Sequence, residues 1–518
     1  MPAQFSSRIS RKTLSRQGIS ALAFWAVTAP AAFALSPEDV LDLMTDQSMT
    51  MATELDIDSH KEGDTLVIDR IVSTMVQEIA DEEITSTTTM TGYRLEPRGD
   101  EVVMRFDPAL TITSRSEFDG EVTEMVMTAT APDLEYVFSG ERDDMRAVVS
   151  DGTLVLSIDR IDAPDEAPLE DLAEVTFSGL NGDSRIVSGD LNRVEGTGSV
   201  DTISFTLDML APEEDSEGPV RITATGNISD VAMNGTLALP EGQDLETVAF
   251  DELLRSGYNL AMHAQYGAGA MLMDVEGPDP LHYEETVAAG AVDLSISAEG
   301  LDSQVVASDL AMSVSAPMIP PGAGATIGQV GFGLTMPLTV TPEEQPLGFK
   351  LNLQDVALPE QLWALFDPAG KLSRDPMTIS LDLGAMGRMT SDFSELEEMD
   401  GDEAPGEISS LSLNSLLVKL GGAMISANGS FDIDNSAKSR INPDMPKFTG
   451  QVDATAQGVL GLVQTLAEMG LIPPQQAMTV PMMAGMFTRQ LSGPDDLAST
   501  IEVTEDEQVL VNGQMMMP

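Results

Sequence analysis

The chain has 518 residues, with 85 Asp and Glu against 26 Lys and Arg, a formal net charge of −59 and no cysteine. So acidic a surface repels phosphate backbones and anionic headgroups, which argues against nucleic acid as a partner, and the lack of cysteine excludes disulfides and thiolate chemistry. The charge reads as a heavily solvated surface, with divalent-cation binding as the sharper alternative.

The predicted elements begin with a leader. Arg8, Arg11, Lys12 and Arg16 precede an apolar run from Ile19 to Val27, and Ala32-Phe33-Ala34 offers the small residues of a cleavage site. This predicts a signal peptide over 1–34 and a periplasmic location. The run is too short to span a bilayer, and no later stretch approaches the ~20 apolar residues needed, so no transmembrane anchor is expected. Removing the leader leaves more chain than one core usually holds. The reading divides it into an N-terminal β region, 35–235, with a short first helix; a middle β region, 236–447, with short helices and an acidic loop at 391–407; and a C-terminal strand-helix-helix-hairpin unit, 448–518.

Ser36 and Pro37 read as a helix cap and first helical residue, with Glu38 and Asp39 in the first turn. From Asp64 onward the period is two. Between Asp201 and Met209, for example, Ile203, Phe205, Leu207 and Met209 share one face while Thr202, Ser204, Thr206 and Asp208 share the other. The same alternation returns at Val292 to Ile296, Phe349 to Leu353, Met377 to Leu383 and Phe431 to Ile433, with turn clusters such as Gly277-Pro278 and Pro320-Pro321-Gly322 between. One-sided alternation of this kind belongs to antiparallel sheets. Leu237 to Glu241 precedes a helical run near Leu245 to Arg255, and Val356 to Glu360 precedes another from Gln361 to Phe366, which suggests a loose repeat of strand, short helix, strand. Glu213 to Gly218 and Ser391 to Glu407 read as solvated acidic loops, the longer one disordered.

The last unit opens with a strand at Thr449 to Ala456. A helix carrying Val459, Leu462, Val463, Leu466 and Met469 follows and stops at Gly470. A Met-rich run from Gln475 to Leu491 is expected to be interrupted by Pro481, and Ile501/Val503 with Val509/Val511 form a closing hairpin around Thr504 to Glu507. The first of these helices is expected to be a plug with nearly complete burial.

No catalytic constellation emerges. His60, His263 and His282 are far apart in sequence and read as surface or turn residues. Gly322, Gly324 and Gly328 read as a glycine-rich turn rather than a dinucleotide fingerprint. Asp400, Asp402 and Glu403 lack the spacing of a calcium loop. Met482, Met483 and Met486 beside Phe487 read first as adaptable core filler and second as a flexible lipid- or partner-facing surface. No catalytic, metal or cofactor residue is assigned, and the chain is read as not an enzyme.

The strings GLVQTLAEMGLIPPQQAM, MMAGMF, DDLASTIEV and VLVNGQ resemble the closing block of an uncharacterised family of exported alphaproteobacterial proteins, domain-of-unknown-function family 2125. The segment Leu358 to Pro368 with Arg374-Asp375-Pro376 is similar to its middle block. The resemblance extends over nearly the whole mature chain. It implies a periplasmic location and a β-rich body, and no activity.

The expected fold is therefore mainly β, an elongated, curved, largely antiparallel sheet body with a few short helices over its oily side. The function class it favours is a non-enzymatic envelope protein binding or carrying lipid or another apolar molecule. The alternative is a structural or assembly protein with a closed core and envelope-protein partners; a hydrolase working with carboxylates alone ranks third. An open apolar trough against a packed interior discriminates the first two.

Overall fold

The computed structural model describes residues 35–49, 54–79, 82–107, 109–118, 121–164, 169–211, 220–241, 248–392 and 405–517. The expected leader at 1–34, the acidic segment 213–218 and most of the loop at 391–407 lie outside the described residues. The fold is mainly β and antiparallel, with five helices among the described residues. By contacts the chain forms two compact units. The first takes in the chain to Glu170 with Gly179–Gly198, and the second takes in Asp171–Ser178 with Ser199–Pro518.

The first unit opens with α1 (Pro37–Met49). Ser36 Oγ accepts from the Asp39 amide while Asp39 Oδ2 accepts from the Ser36 amide, a reciprocal cap that satisfies two otherwise unpaired donors. Nine strands follow: β1 (Glu54–Glu62), β2 (Thr65–Ile79), β3 (Glu82–Met90), β4 (Tyr93–Arg98), β5 (Glu101–Phe106), β6 (Leu110–Phe118), β7 (Glu121–Thr130), β8 (Glu135–Glu141) and β9 (Asp144–Asp162). Two long strands act as rails. β2 pairs with β4 near its start and β3 beyond, and β9 pairs with β8 near its start and β7 beyond. Between the rails run β4, β5, β8 at one level and β3, β6, β7 at the other. Val40 of α1 packs with Leu66, Ile68, Tyr93, Leu95 and Phe138 in a cluster that is almost wholly buried. This unit has a closed core.

β10 (Leu169–Val187) and β11 (Leu191–Ala211) have residues in both units. The second unit repeats the rail design. β12 (Val220–Pro240) pairs with β14 (Gly269–Glu276) over its first half and with β13 (Asn259–Tyr266) over its second. β17 (Gly300–Ser315) pairs with β16 (Ala289–Ser297) and then with β15 (Leu281–Val287). β13 joins β16, and β14 joins β15.

Where three of these rails change partner, an aspartate stands in the left-handed region: Asp151 at φ 49°, Asp230 at 52° and Asp309 at 50°. Aspartate tolerates that conformation better than most residues, and there it bends the strand without ending it. The three recur at an interval of 79 residues (230 − 151 and 309 − 230). Two lie in matching strings, Ser229-Asp230-Val231-Ala232-Met233 and Ser308-Asp309-Leu310-Ala311-Met312. This repeat differs from the strand-helix-strand one expected from Leu237 and Val356.

From β17 the sheet is a meander through β18 (Ala323–Met336), β19 (Gln345–Val356), β20 (Met377–Met389), β21 (Gly406–Leu420), β22 (Ala423–Lys438) and β23 (Pro446–Gln457). It continues past the two-residue β24 (Arg489–Gln490) to β25 (Asp496–Val503), β26 (Val509–Val511) and β27 (Gln514–Met517). The expected closing hairpin is present, Ile501 facing Val511 and Val503 facing Val509, and β27 extends it. Gly324 and Gly328 lie inside β18, so only Gly322, at φ 78°, belongs to a turn.

Four helices belong to this unit: α2 (Phe250–Arg255), α3 (Glu360–Phe366), α4 (Val459–Glu468) and α5 (Pro474–Phe487). α4 is not the buried plug its apolar stripe suggests: none of its residues is buried. It meets the sheet at the β21–β22 turn, where Leu462 leans on Gly421, it packs against α5, and Glu468 near its end pairs with Lys371 at 3.5 Å. A helix placed at strand ends has only an edge to cover, so Leu462 and Leu466 stay half-buried. Asp495 holds its start from afar, its carboxylate accepting from the Leu460 and Gly461 amides at 2.9 and 2.8 Å. Pro481 does not interrupt the second run; α5 is one helix with that proline inside.

Candidate functional site

Period two places alternate residues of every strand on one face, and the register determines which of them line up across the sheet. In the second unit, Met233 faces Ala264, which faces Val292, which faces Val305. The row continues through Phe332, Leu351, Leu381 and Leu416 to Ala427 and Ala454. Parallel rows flank it, among them Leu334, Phe349, Leu383 and Leu413, and Val330, Leu353, Ile379, Val418 and Ile425. Phe332 and Phe349 meet edge to face at 5.7 Å on this surface.

None of the ten residues of the central row is buried. Leu351 is 40 % exposed, Val305 and Phe332 43 % and Met233 49 %, although an apolar sheet face normally lies against a second layer. With strands ~4.8 Å apart, a row across ten strands runs for about 40 Å of sheet. Four residues of the row are exposed and the other six half-buried, which makes this face the candidate interaction surface of the unit.

The opposite face is polar, and its side chains are satisfied across the strands. His263 Nδ1 lies 2.6 Å from Asp293 Oδ1, Thr335 Oγ1 donates to Asp302 at 2.8 Å, Asn414 donates to Asp382 at 2.8 Å, and Thr500 donates to Asp453 at 2.6 Å. The hydrogen bond from Thr500, with a second from Gln451, keeps Asp453 below the usual carboxylate range. The two faces of one sheet thus differ sharply in chemistry.

The histidines do not converge. His60 pairs with Asp69 at 2.7 Å, and His282 with Asp274 at 2.7 Å and Glu284 at 3.3 Å. Hydrogen bonds accepted by Asp69 and Asp274 respectively raise the two imidazoles above their ordinary value. Each is a cross-strand or same-strand pair on an exposed surface. No group of three or more His, Asp or Glu placed to hold a metal occurs among the described residues. Asp400, Asp402 and Glu403 lie outside those residues.

Two further features escaped the sequence reading. Tyr266 lies across Gly290 on the apolar face, where a β-carbon at Gly290 would stand 2.2 Å from the ring. The methionines of α5 are displayed rather than packed, Met478 at 70 % and Met482 at 66 % exposure, with Met483 and Met486 also exposed. Core filler was the wrong first reading, because α5 touches α4 and little of the sheet.

No helix among the described residues is long and apolar enough to cross a membrane. A search of the curated proteins found no match. The resemblance read from the middle and closing strings is met by a family model, over a shorter span than nearly the whole mature chain and ending before VLVNGQ. Residues 269–506, which include eight of the ten strands of the central row and helices α3 to α5, match the model of the family described as "Uncharacterized protein conserved in bacteria", DUF2125.

Proposed function

We propose that this is a non-enzymatic periplasmic protein, exported by the leader at 1–34, that binds and carries lipid or another apolar molecule on the open face of its second unit. The observation that carries the reading is the central row from Met233 to Ala454, apolar on every strand and buried on none. The chemistry suits an acyl chain. A bilayer's ~30 Å hydrocarbon core is two chains deep, so one chain of about 15 Å would lie across about three strands and cover side chains worth ~1 kcal/mol each at half burial. The lining is Leu, Val, Ile, Met and Ala with two phenylalanines, which offers adaptable contact and few polar groups to fix a headgroup.

The test is organic extraction of the purified protein followed by mass spectrometry, with the double variant Phe332→Asp/Leu351→Asp alongside. Both side chains are already exposed, so the stripped variant is expected to melt near the parent while its retained lipid falls about tenfold or more. A parent that yields no lipid and takes up no added fatty acid would instead favour the closed-core assembly protein, for which the packed cluster around Tyr93 and Phe138 is the supporting observation.

A further inference from the structure

α5 presents a second apolar surface, separate from the sheet face. Met478, Met482 and Met486 stand four residues apart, so they form one stripe along the helix, and Met483 and Phe487 widen it. From Val459 to Thr488 the only ionisable residue is Glu468, in a chain where 21 % of residues are charged. The helix is also well seated. The Thr488 amide donates to the Ala484 carbonyl at 2.8 Å, and the Phe487 carbonyl accepts from Ser499 Oγ at 2.7 Å and Asn512 Nδ2 at 3.0 Å. The stripe is therefore held outward by its neighbours.

We propose that this stripe docks the protein onto the surface of a zwitterionic lipid bilayer. The charge pattern selects that occupant. Helices that lie in anionic membranes carry Lys and Arg on their polar face, whereas the polar positions of α5 are Gln475, Gln476 and Thr479. An uncharged helix on a body of net charge −59 can settle among neutral headgroups but is repelled as the membrane becomes anionic. Methionine suits the task, since its unbranched, polarizable chain adapts to disordered acyl chains. The docking stands beside the cargo reading and does not require it.

The experiment uses the full chain with a single cysteine introduced as Gly485→Cys, a position exposed on α5 with open space beside it in a protein that has no other cysteine. It is labelled with an environment-sensitive dye and titrated with phosphatidylcholine vesicles, then with vesicles rich in phosphatidylglycerol. The expected result is a blue shift with the first, weakened with the second, and an apparent affinity about tenfold or more lower in Met478→Asp/Met482→Asp. Both methionines are exposed, and unchanged circular dichroism and melting would show that the variant folds. No shift with phosphatidylcholine, or a shift the aspartates leave intact, overturns the proposal. So does a vesicle-independent dimer in sedimentation that the aspartates abolish. Lipid content, measured separately by extraction, reports on the cargo reading: a lipid-free protein that still binds vesicles would sink that reading and leave this one standing.

Discussion

The guanidinium of Arg374 lies 4.4 Å from the centre of the Trp363 ring. From there its Nη1 donates to Asp367 Oδ2 at 2.6 Å, and its Nε and Nη2 reach the Glu360 carboxylate at 3.3 and 3.2 Å. One side chain thus stacks on the buried face of α3 and ties both ends of that helix, a task that a planar, forked cation performs and an ammonium does not.

Asp367 supplies a pH test of this seat. Burial alone would push its carboxyl up. The Leu372 amide, Arg374 and the Lys371 amide more than offset that and hold the pKa down to about 2. An aspartate in the unfolded chain titrates near ~3.9. The folded protein therefore binds this proton less readily, so the contribution is full above about pH 4 and is lost as the pH falls toward 2. Acid unfolding of Asp367→Asn should be shallower than that of the parent over this window, and the two curves overlaying would refute the assignment. Arg374→Lys is expected to melt a few degrees below the parent, having lost the stack and the fork.

Leu466 reports on where α4 sits. A fully buried leucine costs ~2–5 kcal/mol on truncation, but this one is only half covered. Leu466→Ala should therefore cost about 1 kcal/mol in a urea titration. A loss above about 3 kcal/mol would mean that the helix is packed down as a plug after all.

The aspartates at the partner-switch points are backbone devices. Asp309 is exposed, and its φ is 50°. Valine there would pay a left-handed penalty of ~1–2 kcal/mol with no burial to compensate, whereas Asp309→Asn or Asp309→Gly should stay within about 0.5 kcal/mol of the parent. Equal stability of the valine and asparagine variants in chemical denaturation would show that the bend is carried elsewhere.

The alternation at Phe349-Leu351-Leu353 and Met377 to Leu383 determined by itself that these strands pair antiparallel with one oily face, because a period of two is a local property of the chain. The stop at Gly470 and the closing hairpin at Ile501 to Val511 were legible for the same reason, each resting on neighbouring residues. Matching strings around Asp230 and Asp309 were also in plain view, but they predict a bend only once a left-handed aspartate is known to let a rail change partner. What stands opposite a face is not local. Only the tertiary structure decided that Val40, Tyr93 and Phe138 close over one another while Val305, Phe332 and Leu351 remain open, since the same alternating pattern suits a second sheet, a layer of helices or an acyl chain. It likewise decided that Asp495 caps α4 from across the chain, and that α4 rests on the turn at Gly421 with α5 turned outward. Those outcomes depend on contacts between segments remote in sequence, which local periodicity does not encode.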